Sequence, residues 1–217
     1  LKLLLKFLSG GAPMKETLAA ALVLLSKWEP SRVLADPMCG SGTIAIEAAM
    51  IGKNIAPGLN RSFVSEKWDI IPHDLWEDLR KHARNSINNK EFKILASDID
   101  GWVIKTARDN AKKAGVQEQI TFQKISVQNF SSKKKYGFII SNPPYGERLG
   151  DMKEVEKLYK DMGSVFSKLE NWSYFIITAH DGFEKQFGKK SDKNRKLYNG
   201  KLKCYYYQYF GEKPKYN

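Results

Sequence analysis

The sequence predicts an α/β fold: a mostly parallel, doubly wound sheet with an antiparallel last strand. Three observations lead there. Apolar runs of strand length alternate with longer segments patterned for helix, and such alternation makes a parallel sheet covered by helices on both faces. A loop with two glycines, DPMCGSGT (Asp36–Thr43), joins the first strand to a helix; in open α/β sheets, ligands bind at this carboxyl end of the strands. The segment KLKCYYYQYF near the end of the chain alternates in character and suits a final strand.

Each element has its own signal. Lys15–Trp28 has helical composition and apolar spacing, with Pro13 just ahead, where a helix start tolerates it. Arg32–Ala35 reads as a short buried strand and Asp36–Gly42 as a loop. Thr43–Ile51 reads as a helix ended by Gly52. Residues 53–90 are less regular, apart from a charged amphipathic helix in HDLWEDLRKHARNSINN. FKILASDID is a strand ending in acids, and GWVIKTARDNAKKAGV is a helix ending near Gly115. ITFQKISV is a third strand. YGFII is a fourth, stopped hard by Pro143 and Pro144, which lack an N–H and lock φ. KEVEKLYKDMGSVFSKL is a helix and WSYFIITAH a strand. The basic stretch Phe187–Lys196 (FGKKSDKNRK) reads as a loop.

The 217 residues suffice for one domain with a real core. Lys and Arg number 36 against 24 Asp and Glu, a formal charge of +12. A basic surface suggests a polyanionic partner, nucleic acid first; lysines spread over an ordinary soluble protein are the plainer alternative. Two cysteines, Cys39 and Cys204, with no CxxC pair and no Cys/His cluster, point away from a zinc site. No metal is expected. The apolar opening Leu1–Leu8 is too short to span a bilayer and lacks a cleavage pattern. The expected partners include no membrane, and the expected location is the cytoplasm. An opening Leu in place of Met suggests a piece of something longer.

The chemistry gathers in three places. Gly40 and Gly42 let the loop turn tightly and let a ligand approach the backbone. The helix behind them offers unpaired N–H groups to an anion. A plain strand-to-helix turn explains the same glycines. Asp98, in SDID, ends the next strand, where a carboxylate can accept both hydroxyls of a ribose; alone, it reads equally as a helix N-cap. The glycine-to-acid distance is ordinarily about 20 residues, so 53–90 must be an insertion in the first crossover. The third place is SNPPYGERL, Ser141–Leu149. It is either a chemical site or a rigid turn with a packed tyrosine.

In this order, the motifs resemble the S-adenosylmethionine-dependent methyltransferases that methylate exocyclic amines of bases. GAPMKETLAAAL, DPMCGSGTIAIEAA, PGLNRSFVSEKW, SDID, SNPPYGERL and KLYNGKLKCYYYQYF are similar to the catalytic domain of ribosomal RNA guanine-N2 methyltransferases that carry a THUMP domain. The resemblance covers almost the whole chain. It implies a Rossmann-like class I methyltransferase domain over 1–217, with a helical segment at 1–30 and the insertion at 53–90. The family's upstream THUMP portion is not in this sequence. The implied cofactor is S-adenosylmethionine, and the implied partner is RNA, most of all ribosomal RNA. The resemblance places Asp36, Pro37, Met38, Cys39, Gly40, Ser41, Gly42, Thr43, Asp98, Ile99, Asp100 and Asn142 at the cofactor, with Thr17 at its carboxylate or merely starting a core helix. Related enzymes often carry an acid after the third strand, facing the adenine; here Ser126 and Asn129 hold the candidate places. Asn142, Pro143, Pro144 and Tyr145 form the implied catalytic turn. DNA adenine-N6 methyltransferases share this turn, and a non-catalytic RNA-binding module is the alternative from another class.

The turn suits its chemistry. An aryl amine is a poor nucleophile because its lone pair is delocalised. Acceptors held by the double proline, the Asn142 amide and nearby backbone carbonyls, would aim that lone pair. Tyr145 would stack on a flipped base. Glu147 and Arg148 follow the turn: Arg148 either touches a phosphate or pairs with Glu147. His180, Asp181 and Glu184 either line the base pocket or form a surface cluster.

Overall fold

The computed structural model describes residues 14–146 and 151–214. Leu1–Leu8, Pro13, Glu147 and Arg148 lie outside the described residues. Seven strands form one sheet in the order β3-β2-β1-β4-β5-β7-β6. They are β1 (Leu34–Asp36), β2 (Ile94–Asp98), β3 (Ile120–Lys124), β4 (Phe138–Ser141), β5 (Ser173–Thr178), β6 (Lys193–Asn199) and β7 (Leu202–Tyr209). Strands β1 to β5 run parallel, β7 is antiparallel to β5, and β6 is antiparallel to β7.

Helices cover both faces. On one side lie α1 (Glu16–Ser26), α2 (Thr43–Lys53) and α4 (Gly101–Lys113), whose Leu22, Val23, Ile44, Ala48 and Ala107 bury against Ile94, Phe138 and Phe175. On the other lie α5 (Asp151–Phe166) and α6 (Phe183–Phe187), packed through Tyr159, Met162, Phe166 and Phe183 onto Ile139, Tyr174 and Ile176. The crossover from α2 to β2 holds a short 3₁₀ turn, Val64–Lys67, and α3 (His73–Asn85), which has no face in either core. Glu66 anchors that crossover: it accepts the Phe63 N–H and pairs with Arg80.

Three expectations are corrected and one alternative is removed. The first strand starts later than Arg32 and takes in Asp36, because its parallel pairing on β2 runs from Leu34 to Asp36. Gly52 does not end α2. The helix continues to Lys53, and Asn54, at φ 58°, is its left-handed cap. Gly52 is there for close packing, since a Cβ would stand 2.5 Å from the Phe92 ring. The basic stretch is not all loop. Lys193–Lys196 begins β6, because every residue from Lys193 to Asn199 finds a partner on β7; the last strand of the sequence is thus one arm of a hairpin. Asp98 is not the cap of α4. Asp100 is, its carboxylate accepting the Trp102 N–H at 2.8 Å.

Candidate active site

The order of the sheet puts β1 between β2 and β4. The loops leaving these three parallel strands therefore meet at one edge, where the winding reverses. Asp36 ends β1, Asp98 ends β2, and Asn142 follows β4 directly.

The glycine loop is pinned to β2 at two adjacent points. The Cys39 N–H bonds to the Ser97 carbonyl at 2.9 Å, and the Gly40 N–H bonds to the Asp98 carboxylate at 3.0 Å. The other Asp98 oxygen accepts the Asp100 N–H at 3.0 Å. Each oxygen of an ionised carboxylate has a second lone pair, so Asp98 holds the loop and still has acceptors to offer. Gly40 and Gly42 both have positive φ, 52° and 86°, but they serve different ends. A Cβ on Gly42 would press on Ala107 at 3.1 Å, so this glycine lets α2 approach α4. A Cβ on Gly40 would meet nothing within 4 Å: Gly40 borders open space. No side chain caps the start of α2, and the Ser41 and Thr43 hydroxyls sit 3.2 Å apart there.

Asp36 is 1% exposed. Its carboxyl accepts the Ser141 hydroxyl at 2.7 Å and the Met38 N–H at 3.3 Å, tying the end of β1 to the end of β4. Burial pushes its pKa up to about 7, and the charge of Asp98 adds to the rise. Burial also pushes the Cys39 thiol upward, with Asp36 and Asp98 contributing, so Cys39 is an inert wall residue. Cys39 and Cys204 are both buried, and neither forms a disulfide.

A pH dependence follows from Asp36. Its folded pKa lies above the ordinary 3.8, so its contribution to stability is full below pH 4 and is lost as pH rises through about 7. Wild-type stability should fall across that window by about 1.4 kcal/mol per pH unit at most. Asp36→Asn keeps an acceptor for Ser141 and cannot titrate. Urea unfolding from pH 4 to 8 should show a flatter profile for the variant. Parallel profiles would refute the assignment.

The turn after β4 is braced from beneath. The Tyr159 hydroxyl donates to the Pro144 carbonyl at 2.7 Å and lies 2.9 Å from Thr178 Oγ1. Thr178 Oγ1 in turn accepts the His180 N–H at 3.1 Å. Pro143 is buried, Pro144 is exposed, and Asn142 is half-buried. Tyr145 is not a free platform. Its ring packs against the first core, and its hydroxyl donates to Asn142 Oδ1. Cys204 Sγ lies 3.9 Å from the same hydroxyl. Burial and the Cys204 neighbour raise its pKa, so it stays a donor. Beside the turn lies a cleft of about 410 Å³, walled by Tyr145, Gly146, Met152, Ala179, His180, Asp181, Gly182 and Leu202.

The remaining residues divide. Thr17 is exposed in the first turn of α1, next to Glu16; burial raises the pKa of Glu47 on α2, and the Glu16 charge adds to the rise. That puts the start of α1 beside α2. Ile99 is 71% exposed at the tip beyond Asp98. Asn129 is exposed at the end of a 3₁₀ turn, Val127–Asn129, its N–H bonded to the half-buried Ser126. His180 and Asp181 line the cleft, whereas Glu184 does not: its carboxylate accepts both the N–H and the hydroxyl of Ser191, bracing the approach to β6. Sequence reading passed over Ser141 and Tyr159. Ser141 stands at the head of SNPPY, but its partner Asp36 is distant in sequence. Tyr159 looked like any apolar residue on a helix face.

Comparison with known proteins places this architecture. The family described as UPF0020, RMKL-like, methyltransferase domain, matches residues 6–208. The chain belongs to this family. It is 50% identical over 204 residues to "Putative RNA methyltransferase YpsC" of Bacillus subtilis (strain 168), covering 94% of this chain and 53% of that protein. It is 38% identical over 205 residues to "Ribosomal RNA large subunit methyltransferase K/L" of Legionella pneumophila (strain Philadelphia 1), covering 92% of this chain and 29% of that one. The chain thus spans about half or less of the curated relatives it matches. Two solved structures superpose closely. "SMU.472, a putative methyltransferase complexed with SAH" gives a TM-score of 0.90 at 46% identity, over 94% of this chain and 55% of that one. A Listeria monocytogenes structure, described as "a predicted N6-adenine-specific DNA methylase", gives 0.88 at 47%, over 96% and 54%. The Rossmann-like class I methyltransferase fold expected from the sequence is the fold observed. Among the described residues, no cluster of three His, Cys, Asp or Glu exists to hold a metal, and no helix is long and apolar enough to cross a membrane.

Proposed function

We propose that this chain is the methyl-transferring domain of an S-adenosylmethionine-dependent RNA methyltransferase, and that its target is an exocyclic amine, guanine N2 of large-subunit ribosomal RNA, in the cytoplasm. One observation carries the reading: the open glycine loop with Asp98 and the braced Asn142 turn stand at the ends of neighbouring strands. The residues fit the cofactor. Gly40 borders open space, α2 presents an uncapped N-terminus, and Asp98 keeps acceptors suited to ribose hydroxyls. When bound, the cofactor supplies a methyl group on a sulfonium sulfur, an electrophile that needs no metal to react with an amine nitrogen.

The chain's own work is aim. Asn142 Oδ1 accepts the Tyr145 hydroxyl and keeps a second lone pair, so the acceptors offered to the target amine are Asn142 Oδ1 and the carbonyls of Asn142 and Pro143, while the Pro144 carbonyl is turned to Tyr159. Bonds to both amine hydrogens favour a pyramidal nitrogen whose lone pair points one way. The nitrogen sheds one proton to water after gaining the methyl, so no strong base is needed. Tyr145 flanks the cleft that would take a flipped base and forms a wall of it, its ring packed on the core behind.

The names of YpsC and the Legionella protein support RNA over DNA, while the Listeria description keeps adenine N6 of DNA as the second reading. Incubation with radiolabelled S-adenosylmethionine and unmodified ribosomal RNA, tRNA or DNA, followed by nucleoside analysis, separates them. Label in N2-methylguanosine from ribosomal RNA is expected. Label in N6-methyladenine from DNA would overturn the reading.

A further inference from the structure

We propose that one face of the β6–β7 hairpin is the track for the single-stranded RNA that flanks the target nucleotide. The proposal rests on the RNA methyltransferase reading above and adds a surface to it. Strand register sets Lys196 opposite Tyr205 and Tyr198 opposite Lys203. Side chains alternate across a strand, so these four share one face as a two-by-two board of cations and rings. Lys196 Nζ lies 5.6 Å from the centroid of Tyr198, and Lys203 Nζ lies 5.5 Å from that of Tyr205. Each ring therefore has one lysine beside it along its strand and another across the ladder.

Further along the same face the pattern changes. Tyr207 and Tyr209 are buried against α6, as core rings should be. Tyr198 is 56% exposed and both lysines are exposed. Ion pairs among the described residues join Arg80 to Glu66 and Lys135 to Glu170; none engages the hairpin's cations. Lysines on an edge strand guard against unwanted strand pairing, which accounts for charge on β6. Guarding does not call for an exposed aromatic ring between two cations. Single-stranded nucleic acid calls for that combination: rings take base faces and cations take phosphates, without sequence preference.

Position gives the partner its role. Tyr198 and Lys203 lie next to the turn that joins β6 to β7, and Leu202, the first residue of β7 and on the other face of the hairpin from Lys203, is a wall of the cleft beside Tyr145. A strand held on the board reaches the place where a base would enter by crossing the tip of the hairpin. The hairpin thus holds the flanking nucleotides, and the Asn142 turn acts on the one that is flipped.

The test is fluorescence anisotropy of a labelled single-stranded RNA oligonucleotide, with a duplex and a single-stranded DNA of the same sequence as competitors. Tyr198→Ala should weaken RNA binding about tenfold, and Tyr198→Phe should restore it. Lys196→Ala with Lys203→Ala should lower the slope of log affinity against log salt by about 0.7 for each phosphate no longer neutralised. S-Adenosylmethionine affinity and urea unfolding should not change in any of them. Wild-type binding with indifferent variants, or equal competition by duplex, overturns this proposal alone. Stronger binding of the DNA strand overturns the choice of RNA. A wild-type chain that binds no single strand overturns this proposal and the reading beneath it together.

Discussion

Asn142→Ala lowers kcat by about 10²–10³-fold, the loss typical of a polar group aimed at a transition state, and leaves S-adenosylmethionine affinity nearly unchanged. The substitution removes Oδ1 while both prolines and the Tyr159 brace under Pro144 stay in place. The lost bond matters most once the amine nitrogen has turned its lone pair to the methyl, so the rate falls more than binding does. Tyr145→Phe should act through the same atom. Its hydroxyl donates to Asn142 Oδ1, and losing one hydrogen bond of about 1 kcal/mol frees the amide to rotate. A reduction of about fivefold is expected, from the conversion of that energy to a rate. Tyr145→Ala also removes the ring that walls the cleft, so it should raise KM as well. Single-turnover assays on ribosomal RNA, with folding checked by circular dichroism, make the comparison. A fully active Asn142→Ala would leave the double proline as nothing more than a rigid end to β4.

Asp98→Ala weakens S-adenosylmethionine binding by about 1.5–3 kcal/mol, the usual worth of a hydrogen bond to a charged group. That is a loss of roughly ten- to 150-fold. Two causes combine. The variant loses a charged acceptor for the ribose hydroxyls, and it releases the Gly40 and Asp100 N–H groups that the carboxylate now holds at 3.0 Å. The second cause loosens the loop before any cofactor arrives. Asp98→Asn shares both losses in part. Its carbonyl can replace one acceptor, but its amide NH₂ meets an N–H donor on the other side, so it too should bind weakly. Titration calorimetry measures both variants. Unchanged affinity in Asp98→Ala would remove this residue from the cofactor site.

Much of the fold was readable from local pattern. Apolar runs such as Phe138–Ile140 are too short for helices and too apolar for loops. Parallel strands buried on both faces have that appearance, and they paired as such. The double proline marked the end of β4 within a residue, because proline cannot donate to a ladder. Asp98 was readable as a strand end, and Asp36 and Asn142 as residues just past one, for the same local reasons. Position along the chain and residue type sufficed to gather them, since the carboxyl ends of parallel strands share one edge.

What local pattern could not carry depends on contacts between distant segments. Lys193–Lys196 resembles a loop in its own neighbourhood; it is strand because β7 supplies a ladder partner for every residue. Gly52 resembles a helix stop, yet it is interior because Phe92, far along the chain, leaves no room for a Cβ. Tyr145 resembles an exposed stacking ring, but Asn142 and Cys204 draw its hydroxyl inward. Burial among distant segments pushes the Asp36 carboxyl up to about 7, against the Ser141 hydrogen bond, which pulls it down. Backbone preference and apolar periodicity act over a few residues and survive in the sequence. Desolvation, ladder pairing and close approach arise between segments that only folding brings together.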